Sequence, residues 1–136
     1  MELNIKLTVL LIGIVFTGLT AGICFTWGNA VTPGIGRIND YGFLSAFQAM
    51  NRAIINKVFM MVFFGPVIAL FISAYLFKAN TTAFWFILAA AMIYLFGLAL
   101  VTVFGNVLLN EILDKSNLEA MSALELKELR KTLEKP

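Results

Sequence analysis

The sequence predicts an all-α membrane bundle with three transmembrane helices, an amphipathic segment and a short helical tail. Of the 136 residues, 60% are hydrophobic and only 13% are charged, whereas soluble domains contain about 45–50% apolar and about 25% charged residues. The apolar residues form three uncharged runs, each as long as the roughly 20 residues that cross a bilayer as a helix. A soluble domain of this size cannot bury so much apolar surface, so we expect a lipid bilayer to cover it.

The composition also excludes several classes of site and partner. Histidine is absent and Cys24 is the only cysteine, so the sequence predicts no intrachain disulfide and no metal site built on these residues. It contains neither a phosphate-binding glycine loop nor a dinucleotide fingerprint, and we expect no cofactor. Cys24 lies in an apolar run and is expected to be a small buried hydrophobe. With 10 basic and 8 acidic residues the net charge is only +2, which gives no basis for a nucleic-acid partner.

The first uncharged run, residues 7–31, predicts a transmembrane helix. A cleaved signal peptide is the alternative, although the run is longer than the apolar core of such peptides. Residues 32–36, with Pro33 and two glycines, are expected to end the helix in a turn. Two flanks of small residues predict close helix packing; they are Gly13, Thr17 and Ala21, and Gly18 and Gly22.

Residues 40–56 alternate apolar and polar side chains at helical spacing and predict an amphipathic helix. An interfacial helix is one alternative. A continuous helix running on into the next span is favoured, because neither glycine nor proline separates the two segments.

The second and third spans are predicted at residues 58–77 and 83–109. Pro66 lies inside the second span and removes one backbone hydrogen bond. We expect a kink there, with neighbouring helices offsetting the loss.

The composition predicts a division into a transmembrane domain, residues 1–110, and a charged tail, residues 111–136, which holds six of the eight acidic residues. Ser122 and Glu125 match a capping box that starts a short helix. Leu126, Leu129 and Leu133 follow as a narrow apolar stripe able to rest on the protein or on the membrane.

Three spans place the first loop and the tail on one side of the membrane. That side holds eight of the ten basic residues, so the positive-inside rule predicts a multi-pass protein of the cell membrane with a cytoplasmic tail and an external N-terminus.

Few polar residues interrupt the apolar background, and the predicted topology gathers them at the cytoplasmic end of the bundle. They are Trp27 and Asn29 in the first span, Gln48, Asn51, Arg52 and Asn56 in the amphipathic segment, and Thr102, Asn106, Asn110 and Asp114 in the third span. Two interpretations stay open. The amides either tie helices together or line a pocket for an apolar or aromatic ligand. In the pocket interpretation Arg52 stabilises an anion, and Trp27, Phe43 and Phe47 form flat walls.

Three stretches resemble the anthrone oxygenase-like family of integral membrane proteins, and the resemblance covers nearly the whole chain. They are residues 18–33, with GLTAG and NAVTP; residues 47–60, with FQAMNRAIIN; and residues 101–110, VTVFGNVLLN. The chain departs from the family pattern at Leu108, where the family usually has proline. It also stops before a usual fourth helix, so we expect either a short variant completed by another chain or a truncated sequence.

The resemblance implies a cofactor-free oxygenase that oxidises an anthrone, with Arg52, Gln48 and Asn51 as candidate catalytic donors. The candidate bases are Asp40 and Asp114. Most family members have no assigned reaction, so the resemblance supports the fold more strongly than the activity. The alternative is a non-catalytic scaffold or accessory subunit that completes its bundle as a homo-oligomer or with a membrane partner. Transport ranks third, because the spans contain no charge pair.

Overall fold

The computed structural model describes residues 4–134, and this part of the chain is helical without a strand. Three helices are long and apolar enough to cross a membrane: α1, Ile5–Ile35; α3, Lys57–Leu76; and α4, Thr81–Lys115. Two further helices are α2, Asp40–Ile54, and α5, Ala123–Glu134. The predicted all-α membrane bundle is confirmed.

The expected break at residues 32–36 is wrong in position, because α1 continues through Pro33 to Ile35. A π-helical turn, Trp27–Val31, precedes the proline, and the Thr32 amide donates to the carbonyl of Trp27, five residues earlier. The wider turn relieves the contact that a proline ring makes with the carbonyl four residues before it. The helix therefore ends only at Gly36.

The favoured continuous helix from residue 40 into the second span is also wrong. Helix α2 ends at Ile54, and Asn56 begins α3 by accepting hydrogen bonds from the amides of Val58 and Phe59, each at 3.0 Å. Asparagine is a strong N-cap because its side-chain oxygen satisfies amides that have no partner within the helix. This cap separates two helices without glycine or proline.

The hydrogen bond that Pro66 removes from α3 is replaced by the neighbouring helices. The carbonyl of Val62, four residues before the proline, accepts from the hydroxyl of Thr20 on α1 at 3.2 Å. Tyr94 on α4 donates to the carbonyl of Phe63 at 2.7 Å, and its oxygen lies 3.2 Å from Thr20 Oγ1. The expectation that neighbouring helices offset the proline is confirmed, and the contact joins all three spans.

Small residues let α1 and α3 approach closely on one of the two predicted flanks. A Cβ added to Gly13 would lie 3.3 Å from Leu70, and one added to Gly65 would lie 2.5 Å from the ring of Phe16. Gly18 and Gly22 have no such neighbour within 4 Å. The second flank is therefore free of contacts with the described part of the chain.

The tail folds back onto α2. The predicted capping box is confirmed, since the Glu125 carboxylate accepts from the amide and hydroxyl of Ser122 at 2.8 and 2.7 Å. The predicted leucine stripe of α5 packs on the protein, against a buried cluster of Phe43, Leu44, Leu113 and Leu118. The predicted division at residue 110 stays a prediction; α4 runs across that position.

Arg130 holds α5 in place. Its guanidinium donates to the carbonyls of Gly36 and Ile38 at 2.7 and 2.9 Å, and to the carboxylates of Asp40 and Glu134 at 3.0 and 2.9 Å. It also lies 4.5 Å from the centre of the Phe43 ring. The hydrogen bond to Glu134 raises the pKa of Arg130, and burial partly opposes this rise. These contacts keep the side chain charged and 15% exposed.

Candidate ligand-binding cleft

A cleft of about 500 Å³ lies where the end of α1, the end of α2, the start of α3 and the second half of α4 meet. Ligand sites in proteins commonly occupy about 300–1,000 Å³. Five of the eight sequence-predicted ligand-binding residues line the cleft: Trp27, Asn51, Arg52, Asn106 and Asn110. The structure brings these residues together from three helices, α1, α2 and α4.

Asn51 brings a buried side-chain amide to the cleft. It is only 7% exposed, and its amide nitrogen has no hydrogen-bond partner among the described residues. A buried donor without a partner costs about 1–3 kcal/mol. Asn51 is also one of the residues that line the cleft.

Arg52 and Asp114 form an ion pair at one end of the cleft. Arg52 Nε lies 2.5 Å from Asp114 Oδ1, and Nη2 donates to the Asp114 carbonyl at 3.2 Å. The two side chains are 60% and 51% exposed, so the pair adds little stability. Their position leaves both groups within reach of a polar ligand.

The other predicted residues lie outside the cleft. Gln48 donates to the carbonyls of Leu113 and Ser116 at 2.8 and 3.2 Å, and so satisfies the C-terminal end of α4. Asn56 caps α3, and Asn29 is exposed on the π turn of α1. Of the candidate catalytic donors, Arg52 and Asn51 therefore line the cleft, whereas Gln48 anchors α4 to α2.

Aromatic rings form much of the apolar wall. The centres of the Trp27 and Phe47 rings are 5.6 Å apart, and those of Phe59 and Phe63 are 5.4 Å apart in a stacked arrangement. All four residues line the cleft. Phe43, expected as a third wall, is instead buried beneath the tail against Arg130. Phe59 and Phe63 were not predicted, because an apolar span gives no sign of which face lines a cleft.

A π-helical turn, Thr102–Asn106, aligns the polar side chains of α4. On an α-helix, side chains four residues apart differ by about 40° in their direction around the helix axis, because one turn contains about 3.6 residues. The wider π turn opposes this drift between Thr102 and Asn106. Thr102, Asn106, Asn110 and Asp114 consequently all line the cleft. π turns of this kind are frequent at functional sites.

The family model of anthrone oxygenase matches residues 57–135, more than half of the chain. The chain belongs to the anthrone oxygenase family. No curated protein and no solved structure matches it. In this anthrone oxygenase family member the matched region contains α3, α4 and α5, and therefore the cleft wall that carries Asn106, Asn110 and Asp114. Trp27, Asn51 and Arg52 precede the match.

Only one of the two candidate bases of this family member lies in the cleft. Asp40 is bound by Arg130 beneath the tail, whereas Asp114 lines the cleft together with Glu111. Glu111 pairs with Lys115 at 3.2 Å. Within residues 4–134 no group of three or more His, Cys, Asp or Glu side chains is placed to hold a metal ion. Cys24 is exposed and borders the cleft, so the expectation of a buried cysteine is wrong.

Proposed function

We propose that the cleft binds an apolar aromatic ligand that carries a ketone or phenol oxygen, such as an anthrone or a quinone. The observation that supports this most directly is the unpartnered amide of Asn51, which lines a cleft walled by aromatic rings. A carbonyl oxygen fits a lone donor of this kind, while the fused rings fit between Trp27, Phe47, Phe59 and Phe63. The ligand would thus satisfy the one buried polar atom that the cleft leaves without a partner.

The proposed reaction is oxidation of an anthrone by molecular oxygen. Asp114 removes a proton from the ring methylene, and the negative charge spreads onto the ketone oxygen, where Asn51 and Arg52 donate hydrogen bonds. The carbanion reduces oxygen and forms a carbon–oxygen bond, and the resulting peroxide anion takes the proton back from Asp114 to give a hydroperoxide. Loss of water leaves the second ketone, so anthrone and one O₂ yield anthraquinone and one H₂O. This route uses only groups of the chain and the two reactants.

Tryptophan fluorescence tests binding, because the chain has two tryptophans and only Trp27 lines the cleft. In the Trp85→Phe variant, anthraquinone should quench Trp27 saturably in lipid nanodiscs. In the Trp27→Phe variant, the 61% exposed Trp85 should show only the gradual quenching caused by anthraquinone dissolved in lipid. Equal, non-saturating quenching of both variants would contradict the proposed site.

Oxygen uptake with anthrone tests the catalytic part of the proposal. The wild-type protein should consume oxygen above the spontaneous rate, and Asp114→Asn should remove this excess while leaving saturable quenching of Trp27 in place. Glu128→Gln, a change on the exposed surface of α5, is the control. If Asp114→Asn oxidises anthrone as fast as the wild type does, Asp114 is not the base.

A second candidate is a non-catalytic accessory subunit, and the free flank of α1 favours it. Gly18, Gly22 and Thr26 line a shallow groove of about 450 Å³ on α1, and small residues let a further helix of a second copy approach closely. Gly22→Leu should then convert an oligomer into a monomer when mass is measured in detergent. A wild-type monomer that binds anthraquinone would exclude this candidate.

The membrane orientation is part of the proposal. We propose a cytoplasmic tail and cleft mouth and an external N-terminus, since basic residues are concentrated in the first loop and in the tail. Reporter fusions after residue 134 should be active only for the cytoplasmic reporter. Activity of a periplasmic or extracellular reporter at this position would reverse the orientation.

A further inference from the structure

The cleft is long and differs in polarity between its ends. Asp114 and Thr102 both line it, and twelve residues separate them, which corresponds to about 18 Å along a helix. This is more than half of the roughly 30 Å hydrocarbon thickness of a bilayer. Arg52, Asp114 and Asn110 lie towards one end, and the Thr20 and Phe63 side chains towards the other.

One long side of the cleft borders lipid. Met60 and Phe64 on α3, and Val103 and Val107 on α4, line the cleft and are still 36–43% exposed. They belong to the two apolar helices that span the membrane, so the part of their exposed surface that does not face the cleft faces hydrocarbon. We infer that the cleft has a side opening to the interior of the bilayer between these two pairs.

The inner end of the cleft is closed. Thr20 and Phe63 are held there by their hydrogen bonds with Val62 and Tyr94, which join α1, α3 and α4. A ligand chain that follows the cleft inwards must therefore leave through the side opening.

We propose that the ligand is a membrane-dissolved amphiphile, an aromatic or quinone ring with an alkyl or isoprenoid chain. The ring lies against Asn51 at the polar end, and the chain passes between Val107 and Met60 into the lipid. This inference rests on the proposed function and adds the class of ligand. Hydrocarbon is as favourable a surrounding for the chain as the cleft is, so the chain is accommodated without distortion of the bundle.

The test compares two naphthoquinones, one with a methyl substituent and one with a decyl chain at the same ring carbon. Quenching of Trp27 in the Trp85→Phe background gives the affinity of each compound. Each affinity is expressed against the amount of compound per mole of lipid, so that the stronger partitioning of the decyl compound into the bilayer does not affect the comparison. Both compounds should bind with affinities within about threefold of one another. Val107→Phe narrows the opening and should weaken the decyl compound by about tenfold while changing the methyl compound by less than about twofold.

Leu108→Phe is the matched control, because Leu108 is the next residue of α4, is 61% exposed and lies outside the cleft. It should change neither affinity. If the methyl compound binds and the decyl compound does not, or if Val107→Phe weakens both equally, the side opening is excluded while the aromatic site stands. If neither compound quenches Trp27 saturably, the proposed function itself fails.

Discussion

The contact that replaces the missing hydrogen bond of Pro66 can be tested by a double-mutant cycle. Thr20 is 1% exposed and donates to the Val62 carbonyl at 3.2 Å. Interhelical hydrogen bonds in membranes average about 0.6 kcal/mol and reach about 1.7. Because Pro66 cannot supply the ordinary helical donor, Thr20→Val leaves this carbonyl unpaired and should cost an amount near the upper value, about 1.5 kcal/mol.

In a Pro66→Ala background, the backbone amide at position 66 supplies the missing donor, and Thr20→Val should cost only about 0.5 kcal/mol. The free energy of unfolding is measured by titrating sodium dodecyl sulfate into lipid and detergent micelles and following helicity. Thr17→Val is the control, since the Thr17 hydroxyl donates to Gly13 within its own helix; its cost should be the same in both backgrounds. An equal cost of Thr20→Val in both backgrounds would show that Thr20 does not replace the hydrogen bond that Pro66 removes.

Three further predictions concern the tail and the core. Arg130→Met should release α5 and speed its amide hydrogen exchange by about tenfold or more, because several charge-assisted hydrogen bonds are lost; Lys131→Met, on the exposed side, should not. Hydrogen bonds from Ser122 lower the pKa of Glu125, so the capping box stabilises α5 above the ordinary glutamate pKa and is lost as pH falls through the lowered value. Nuclear magnetic resonance should show the start of α5 fraying as the pH falls below the ordinary glutamate pKa. Ser122→Ala removes the hydroxyl but keeps the backbone amide that donates to Glu125, so it should weaken this pH dependence without abolishing it. Ser73→Ala should stabilise the bundle by about 1 kcal/mol in the same unfolding titration, since the buried Ser73 hydroxyl has no partner among the described residues; a loss of stability would contradict this.

Elements with a strong local pattern were predictable. The three apolar runs gave the spans, and Ser122 with Glu125 gave the start of α5, because these patterns depend on residues close in sequence. The break before α3 could also have been predicted, since Asn56 directly precedes an apolar run, as N-cap residues do. The helix end predicted from Pro33 was wrong in position, because a π turn lets the helix continue past the proline and such a turn has no reliable sequence pattern.

The site was predictable only in part, because its geometry depends on contacts distant in sequence. The polar face of α2 indicated Asn51 and Arg52, but nothing local shows that Gln48 reaches the end of α4, 65 residues later. Arg130 was missed for the same reason: it is one of five basic residues in a charged tail, and three of its four hydrogen-bond partners lie 90 to 94 residues earlier. Phe59 and Phe63 line the cleft, but their apolar span carries no local pattern that distinguishes the cleft face from the other faces.

The proposed site depends on a hydrogen bond that Asn51 donates to a carbonyl oxygen of the ligand. Infrared spectroscopy of anthraquinone with isotope-labelled carbonyl carbons measures that bond directly, because hydrogen bonding lowers the carbonyl stretching frequency. Binding to the wild-type protein should lower the frequency relative to anthraquinone in lipid. Asn51→Leu should abolish the shift, and Asn117→Leu, a change at an exposed position outside the cleft, should retain it. An unchanged frequency on saturable binding, or the same shift in Asn51→Leu, would show that Asn51 does not bind the ligand carbonyl.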